Sequence, residues 1–266
     1  MQQEVSENKP KNINKLTTWA KIQNAVVLTA AVMISAGQWG DTKDLALSAY
    51  TAVIENFTHK LQYDLIEKIN VGSGLSYIKT DLGEPNVIKR SKINSDIEFH
   101  YYNQEKFTLT IMTSNGRVDG YSLLTRVDDF SPQIPFSETL GESTIAASSP
   151  NDFRYNFDTG NLVYYVEAQN LGKEKMYLSL IRGFIEYAAV PSSIMDEANY
   201  VNAVNDKIQA LESQAVFSEN TTQMLTALEA LRKQVVPNYY AITELDNDII
   251  AESLLTRFEY QTFTKS

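Results

Sequence analysis

Apolar residues recur at every third or fourth position from Asp44 to Asn70, which predicts an amphipathic helix. The residues of this stripe are Tyr50, Ile54, Phe57, Leu61, Leu65 and Ile69. The sequence Val71-Gly72-Ser73-Gly74 then ends the helix. A short helix is predicted next, from Leu75 to Leu82, because Gly83 and Pro85 follow it directly.

Short runs rich in aromatic and β-branched residues come after this helix, and they predict β-strands. The four runs are Val87–Ile93, Ile97–Tyr102, Phe107–Thr113 and Val118–Thr125. The Asn115-Gly116 pair between the last two is a strong signal for a β-hairpin. Thr108, Thr110 and Met112 alternate with apolar residues, which predicts a sheet with one covered face. This part of the chain therefore reads as an antiparallel meander packed on helices.

The order of these elements recurs further along the chain. Leu82-Gly83-Glu84 returns as Leu140-Gly141-Glu142, and an aromatic strand with a polar turn follows each of them. The strand at 107–113 then corresponds to 162–168, and the strand at 118–124 to 176–181. The spacing agrees although the sequence identity is low. A duplicated meander, over residues 71–125 and 138–183, is one interpretation, and chance agreement is the other.

Beyond Pro191 the apolar spacing is helical again, so residues 191–266 are predicted to be a C-terminal helical segment. Its apolar positions are Tyr200, Val204, Ile208, Leu211, Met224, Leu225, Leu228, Leu231, Val235, Ile250, Leu254 and Phe258. These faces fit packing against the sheet or against the first helix, and an oligomer contact is the alternative. The predicted fold class is α+β.

The stretch from Ile22 to Trp39 contains no charged residue, and Trp19 and Trp39 lie at its margins. Twenty residues of helix span about 30 Å, so the two indole rings suit the two interfaces of a bilayer. We therefore predict a transmembrane helix over residues 19–39 that continues into the helix beginning at Asp44. A cleaved signal peptide and a buried soluble helix are the alternatives.

The flanks of this segment predict its orientation. Lysines precede it, so residues 1–18 are interpreted as a basic cytoplasmic tail. Residues 40–190 then form an α+β domain on the periplasmic side of a bacterial inner membrane. The lipid bilayer is accordingly one predicted partner, and another envelope protein or a second copy of the chain is the other.

Composition removes several classes of function. The formal net charge is −10 and there is no basic stripe, which argues against nucleic acid as a partner. The chain has no cysteine, so disulfides, thiolate zinc sites and cysteine nucleophiles are excluded. The length of 266 residues, 43% of them hydrophobic, is sufficient for one or two packed domains.

Val71-Gly72, Ile78 and Leu82-Gly83-Glu84-Pro85, followed by strands and an Asn-Gly turn, resemble the SmpA/OmlA (BamE-like) envelope domain. The resemblance covers residues 69–125 and implies a small periplasmic module that offers a binding surface without catalysis. The lipidated cysteine usual in that family is missing. From its apolar segment to about Ala189 the chain is also similar to an uncharacterised bacterial membrane protein family, the ETEC-type domain of unknown function. That second resemblance implies a membrane context and no site residues.

The motifs that could carry catalysis or bind metal are incomplete. Ser76 and Lys79 fit Ser-x-x-Lys, which makes a Ser-Lys hydrolase an alternative, but no Lys-Thr-Gly strand accompanies them. The Gly-Ser-Gly at 72–74 lacks the rest of a phosphate-binding motif. His59 and His100 have no carboxylates at the spacing of zinc ligands. The acidic pairs at 128–129 and 246–248 do not form an EF-hand loop. No catalytic residue, metal site or cofactor is predicted.

Tyrosine remains as a signal for binding. Tyr101-Tyr102 and Tyr164-Tyr165 lie on predicted strands, where consecutive side chains point to opposite faces, so one of each pair could be exposed. Exposed tyrosine favours protein or glycan binding, whereas packing within the sheet is the alternative. The sequence therefore predicts a single-pass, non-enzymatic binding or scaffold protein of the bacterial envelope. An accessory membrane subunit of a stress or phage-defence system is the second interpretation.

Overall fold

An eight-stranded antiparallel sheet lies at the centre of the computed structural model, which describes residues 59–148, 152–217 and 221–264 together with Val27. The chain divides into two compact units, Met1–Leu61 and Gln62–Ser266, and the sheet belongs to the second. The strands are β1 (Val87–Arg90), β2 (Ile97–Asn103), β3 (Phe107–Ser114), β4 (Arg117–Thr125), β5 (Arg154–Asp158), β6 (Tyr164–Asn170), β7 (Ser179–Ile185) and β8 (Tyr239–Thr243). The helices of the described segments are α1 (Lys60–Glu67), α2 (Leu75–Leu82), α3 (Ile145–Ser148), α4 (Glu197–Phe217), α5 (Thr221–Arg232), α6 (Asn247–Ser253) and α7 (Arg257–Thr264).

The strand order is β1-β2-β3-β4-β8-β7-β6-β5, so two four-stranded meanders meet at their last strands. β4 and β8 pair in the middle of the sheet, where Gly120 lies opposite Thr243. A Cβ atom at position 120 would collide with the Thr243 side chain, so this pairing requires glycine. The predicted α+β class is confirmed, and both meanders belong to one sheet.

The local signals in the first meander agree with the structure. α2 has the predicted bounds, and Gly83 ends it with a φ of 77°. Asn115 and Gly116 both have positive φ, as a hairpin of the Asn-Gly type requires. β1 is shorter than predicted, because Ser91 and Lys92 leave the strand and donate hydrogen bonds to the Glu252 carboxylate. The predicted Asp44–Asn70 helix is described from His59 onwards, where α1 begins at Lys60 and ends at Glu67, three residues before the predicted end. Residues 44–58 lie outside the described residues.

Both faces of the sheet are covered, so the prediction of one covered face is wrong. Thr108, Thr110 and Met112 are buried, because α6 and α7 pack over their face of the sheet. On the opposite face, α1 and α2 cover the half formed by the first meander. The remaining half of that face is covered by α4 and α5.

The C-terminal segment, residues 191–266, is part of the same sheet and not only helical. Val204, Ile208 and Leu211 pack on the sheet as their spacing predicts. The prediction is wrong for β8, which lies between α5 and α6 in the chain and pairs with both β4 and β7. Leu225 and Phe258, predicted as members of apolar faces, are exposed.

The strand order of the sheet is symmetric about the β4–β8 pair. This symmetry matches the strands of the two meanders in different pairs from those that the sequence spacing predicts. Counted from each edge inwards, β5 corresponds to β1 and β6 to β2, whereas the spacing had aligned β6 with β3. α4 and α5 are inserted before the last strand of the second meander. Duplication of a common ancestral meander stays a prediction.

Within the described residues, no helix combines the length and the apolar composition needed to cross a bilayer. The predicted span at 19–39, with Trp19 and Trp39, lies outside those residues apart from Val27. The predicted basic tail at 1–18 also lies outside them.

Candidate interaction surface

The four tyrosines predicted to take part in binding are all buried. Tyr101 and Tyr164 lie on the face beneath α6 and α7, and Tyr102 and Tyr165 lie on the other face. The prediction that one of each pair is exposed is wrong, because helices cover both faces of the sheet.

Three of these tyrosine hydroxyls donate to internal acceptors: Tyr101 to Ser253 O at 2.8 Å, Tyr164 to Asn156 Oδ1 at 2.9 Å and Tyr165 to Glu167 Oε1 at 2.5 Å. Burial raises the pKa of Tyr102 to about 12, and burial together with two nearby aspartates does the same for Tyr164. These hydroxyls therefore remain protonated at neutral pH, and that of Tyr102 has no hydrogen-bond partner among the described residues.

The motifs considered for catalysis or phosphate binding have structural partners instead. Lys79 Nζ forms an ion pair with Glu84 at 2.6 Å, and Ser76 is exposed on α2. Gly72 donates its N–H to Val118 O at 2.7 Å, and Ser73 O accepts from the N–H of Val118. The glycine loop is thus attached to β4.

His100 is buried on β2, with Nε2 at 3.2 Å from Thr113 Oγ1 and 3.5 Å from Glu98 Oε2. Within the described part of the chain its Nδ1 atom has no hydrogen-bond partner. Burial lowers the pKa of His100, although the Glu98 carboxylate opposes that effect. Among the residues that the structure describes, no three His, Asp or Glu side chains form a group that could hold a metal ion.

An apolar groove lies on the face of the sheet that α1 and α2 cover, where the two meanders meet. Its cavity has a volume of about 370 Å³. Tyr121 of β4, Ile242 of β8 and Leu178 form the sheet side of this groove. The remaining lining residues are Ile66, Glu67, Ile69, Asn70, Val71, Gln133, Pro135, Phe136 and Met176. A second cavity of about 210 Å³ shares Ile66, Glu67 and Gln133 with the groove.

Phe136 projects from a tight turn at the rim of the groove. The turn is closed by hydrogen bonds from Ile134 N to Glu138 O and from Leu140 N to Pro132 O. Phe136 has a φ of 66°, and its side chain is 56% exposed. A bulky residue with this backbone conformation is uncommon, because its Cβ atom crowds the following carbonyl oxygen.

The β6–β7 hairpin loop carries two more such residues. Met176 and Tyr177 have φ values of 54° and 58°, and their side chains are 74% and 64% exposed. Two backbone hydrogen bonds close this loop. Met176 N donates to Lys173 O at 3.1 Å, and Tyr177 N donates to Gly172 O at 2.9 Å. Its conformation therefore holds two large apolar side chains in solvent next to the groove.

A buried arginine holds the Phe136 turn in place. Arg182 on β7 donates to Ser137 Oγ at 3.1 Å, to Ser148 O at 2.9 Å and to Gln169 Oε1 at 3.1 Å. Burial lowers the pKa of Arg182, and Glu138 opposes this effect. The Ser137 contact connects the rim of the groove with the sheet beneath it.

Two lysines give the hairpin loop a positive charge in an otherwise acidic protein. Lys173 and Lys175 are exposed, and no carboxylate of the described residues forms an ion pair with either ammonium group. Lys175 Nζ lies 4.6 Å from the centroid of the Phe136 ring. The rim thus combines an exposed apolar surface with charges of both signs, since Glu174 lies between the two lysines and Glu67 lines the groove.

The sequence interpretation missed Phe136, Met176 and Tyr177. It placed Met176 at the start of a strand, whereas β7 begins at Ser179. The polar run Gly172-Lys173-Glu174-Lys175 was the available signal for a longer loop. No periodic pattern marks Phe136, because its exposure depends on a turn held by Arg182.

Comparison with known proteins finds no matching family model, no similar curated protein and no similar solved structure. The resemblance of residues 69–125 to the BamE-like domain therefore stays a prediction.

Proposed function

We propose that this chain is a membrane-anchored, non-enzymatic binding protein of the bacterial envelope, and that the apolar groove holds a partner protein. The observation that carries the proposal is the pair Met176 and Tyr177. Both residues adopt left-handed backbone conformations and present large apolar side chains to solvent beside an apolar cavity. Backbone strain of this kind concentrates at functional sites.

The chemistry of the surface supports a protein as the partner. Methionine, tyrosine and phenylalanine are enriched in the cores of protein interfaces, where they supply contact area. The groove provides a concave apolar site, and the hydrogen-bonded hairpin loop provides a preorganised rim. Preorganisation lowers the entropy lost on binding.

The charges at the rim define the partner further. Lys175 lies over Phe136 at the rim and, despite the neighbouring Glu174, can pair with a carboxylate next to the apolar anchor of the partner. In this proposal an aromatic or aliphatic side chain of the partner fills the groove. An acidic residue of the same segment then lies beside the Lys175 ammonium group.

The anchor is the second part of the proposal. Residues 19–39 span the inner membrane, residues 1–18 remain in the cytoplasm and the α+β domain lies in the periplasm. The charge-free stretch, the Trp19 and Trp39 positions and the preceding lysines support this arrangement. A periplasm-dependent reporter fused after Asp44 is expected to be active, and activity of a cytoplasm-dependent reporter instead would contradict the orientation.

Site-specific crosslinking tests the groove. A photoreactive phenylalanine analogue replaces Tyr177 in the full chain in cells, and Phe258 is replaced in the matched control. Phe258 is also an exposed aromatic residue, and it lies on α7 over the opposite face of the sheet. We expect a discrete adduct with an envelope protein from position 177 and none from position 258.

Once the partner is identified and purified, its affinity for variants of the chain measures the contribution of the groove. The double variant Phe136→Ser/Met176→Ser is expected to weaken binding by at least about thirtyfold, since it removes two apolar anchors. The control variant Met195→Ser/Phe258→Ser removes two exposed apolar side chains of the same types elsewhere. Equal affinities of the two double variants would refute the groove as the binding site, and an adduct of the chain only with itself would point to a second copy.

A further inference from the structure

β5 is an edge strand of the described sheet, and no other described strand pairs with its outer side. It pairs with β6 alone, from Arg154 opposite Ala168 to Asp158 opposite Tyr164. Among the described residues, the backbone groups of β5 form no hydrogen bond except to β6. An open edge presents alternate N–H and C=O groups to any further strand.

The other edge of the sheet is protected. β1 has only four residues, and Pro85 precedes it closely. Lys89 pairs with Glu259 at 2.7 Å, and Arg90 pairs with Glu98 at 2.9 Å. Short edge strands with charged side chains resist the addition of another strand. β5 is only one residue longer and has Arg154 and Asp158 at its ends, so the two edges differ mainly in the ion pairs that Lys89 and Arg90 of β1 form.

A cleft of about 510 Å³ runs beside β5. It is lined by Asp246, Asn247 and Asp248 at the start of α6 and by the chain segment Phe153, Arg154, Tyr155 and Asn156. Side chains of a strand alternate between the two faces of its sheet. A strand added to β5 would therefore direct every second side chain towards this cleft.

The cleft carries negative charge. Asp246 and Asp248 are exposed in it, Asp152 precedes β5 and Asp158 is its last residue. The nearby positive charges are Arg154 in the cleft and Arg257, which interacts with Asp158. The pKa of Tyr164 is raised to about 12 by burial and, after that, by Asp158 and Asp248. Basic side chains of an added strand fit this environment.

The other face of β5 is aromatic. Tyr155 and Phe157 stack with their ring centroids 6.2 Å apart, and Phe153 lies 6.4 Å from Tyr155. All three rings are half-buried and pack against the core beneath α4 and α5. Cross-strand neighbours of aromatic residues are most favourable when they are aromatic or β-branched.

We propose that β5 accepts an extended segment of a partner protein as an additional antiparallel or parallel strand, in which apolar and basic residues alternate. The backbone of the segment binds the open edge, its apolar side chains extend the Phe153–Tyr155–Phe157 row, and its basic side chains enter the acidic cleft. This site is separate from the apolar groove, and neither requires the other.

Binding of a synthetic peptide, acetyl-Val-Lys-Phe-Lys-Val-Lys-Val-amide, to the full chain tests this site. Its fluorescently labelled form is expected to bind at least about tenfold more tightly than the analogue with glutamate at the three lysine positions. Added salt is expected to weaken the binding, because the charges lie at the surface. Amide hydrogen exchange at alternate residues of β5 is expected to slow on binding, while exchange in β1 is unchanged.

Matched variants distinguish the cleft from the overall acidity of the protein. Asp246→Asn/Asp248→Asn is expected to weaken peptide binding about fivefold. Asp96→Asn/Asp206→Asn removes the same charge at two exposed positions outside the cleft and is expected to bind the peptide like the unmodified chain. Absence of peptide binding, binding without slower exchange in β5, or equal loss in both double variants would each overturn the proposal.

Discussion

Lys175 extends its ammonium group over the ring of Phe136, 4.6 Å from the centroid, and so connects two separate turns. The turn that carries Phe136 follows β4, the last strand of the first meander, and the turn that carries Lys175 joins β6 to β7. A cation above an aromatic face is attracted by the ring quadrupole, by about 0.5–1 kcal/mol at an exposed site. The two exposed turns that border the groove are therefore held against each other as well as by their own hydrogen bonds.

Replacing Tyr177, whose backbone is in the left-handed conformation, by glycine is expected to stabilise the fold. Tyr177→Gly removes the steric penalty of the left-handed conformation, which exceeds the entropy lost by glycine, so the free energy of unfolding is expected to rise by about 0.5 kcal/mol. Urea-induced unfolding of the full chain measures the change. Tyr77→Gly on α2 is the control, since Tyr77 is similarly exposed but helical; there we expect a decrease of about 0.5 kcal/mol. A decrease at position 177 would mean that the side chain stabilises the fold.

The buried ion pair between Arg232 and Glu167 is expected to be essential for stability. Arg232 Nε donates to Glu167 Oε1 at 2.7 Å, and both side chains are buried. Arg232→Met leaves an uncompensated carboxylate in the core, and we expect a loss of about 3–5 kcal/mol in the free energy of unfolding.

Two further variants control this experiment. Lys233→Met disrupts an exposed pair with Glu229, 3.8 Å apart, and is expected to change stability by less than about 0.5 kcal/mol. Glu167→Gln/Arg232→Met removes both charges and is expected to recover much of the lost stability. If the double variant were no more stable than Arg232→Met, loss of packing rather than an unpaired charge would be the cause.

Protonation of His100 is expected to make stability depend on pH. Burial lowers its pKa below the ordinary value of 6.5, while the carboxylates of Glu98 and Glu84 oppose this and the Lys79 ammonium adds to it. The unfolded chain therefore binds a proton at a higher pH than the folded protein does. Stability contributed by the neutral imidazole is fully present above about pH 6.5 and is lost as the pH falls below it.

The variant His100→Gln isolates this effect. It retains a polar side chain but does not titrate, so its free energy of unfolding is expected to fall less steeply below about pH 6.5 than that of the unmodified protein. Urea unfolding at a series of pH values provides the comparison. Identical pH profiles would show that His100 does not titrate differently in the two states.

A methyl group at Gly183 is expected to disrupt the pairing of β6 with β7. A Cβ atom there would overlap the carbonyl oxygen of Tyr165 and lie 2.7 Å from Val166 Cγ1, and strand backbone moves little. We expect Gly183→Ala to lower the free energy of unfolding by about 3 kcal/mol. Gly160→Ala is the control, because the nearest atom, Asp158 Oδ1, lies 3.4 Å away; less than about 0.5 kcal/mol is expected. Similar losses for both variants would contradict the steric explanation.

Local sequence signals were sufficient for most elements of the first meander. α2 ends at Gly83 and the hairpin turns at Asn115-Gly116, because these signals act between residues that are adjacent in the chain. The helical stripe of α4 was also predictable, since Val204, Ile208 and Leu211 recur at helical spacing. Each of these features depends on backbone preferences and side-chain periodicity within one segment.

Longer-range features were not predictable in the same way. β8 is five residues long and lies between helices, so only its pairing with β4 and β7 identifies it as a strand. Tyr101 and Tyr102 occupy opposite faces as their alternation predicts, but which faces the helices cover depends on the packing of α6 and α7. The same holds for the groove, which is formed by segments far apart in the chain.

The sequence by itself determined the α+β class, the strands of the first meander and the amphipathic spacing of α4. Only the tertiary structure decided that one sheet unites both meanders, that all four candidate tyrosines are buried and that Phe136, Met176 and Tyr177 are exposed. The physical reason is the range of the interactions. Caps, turns and periodicity act over a few residues, whereas burial and exposure depend on contacts between segments that are distant in the chain.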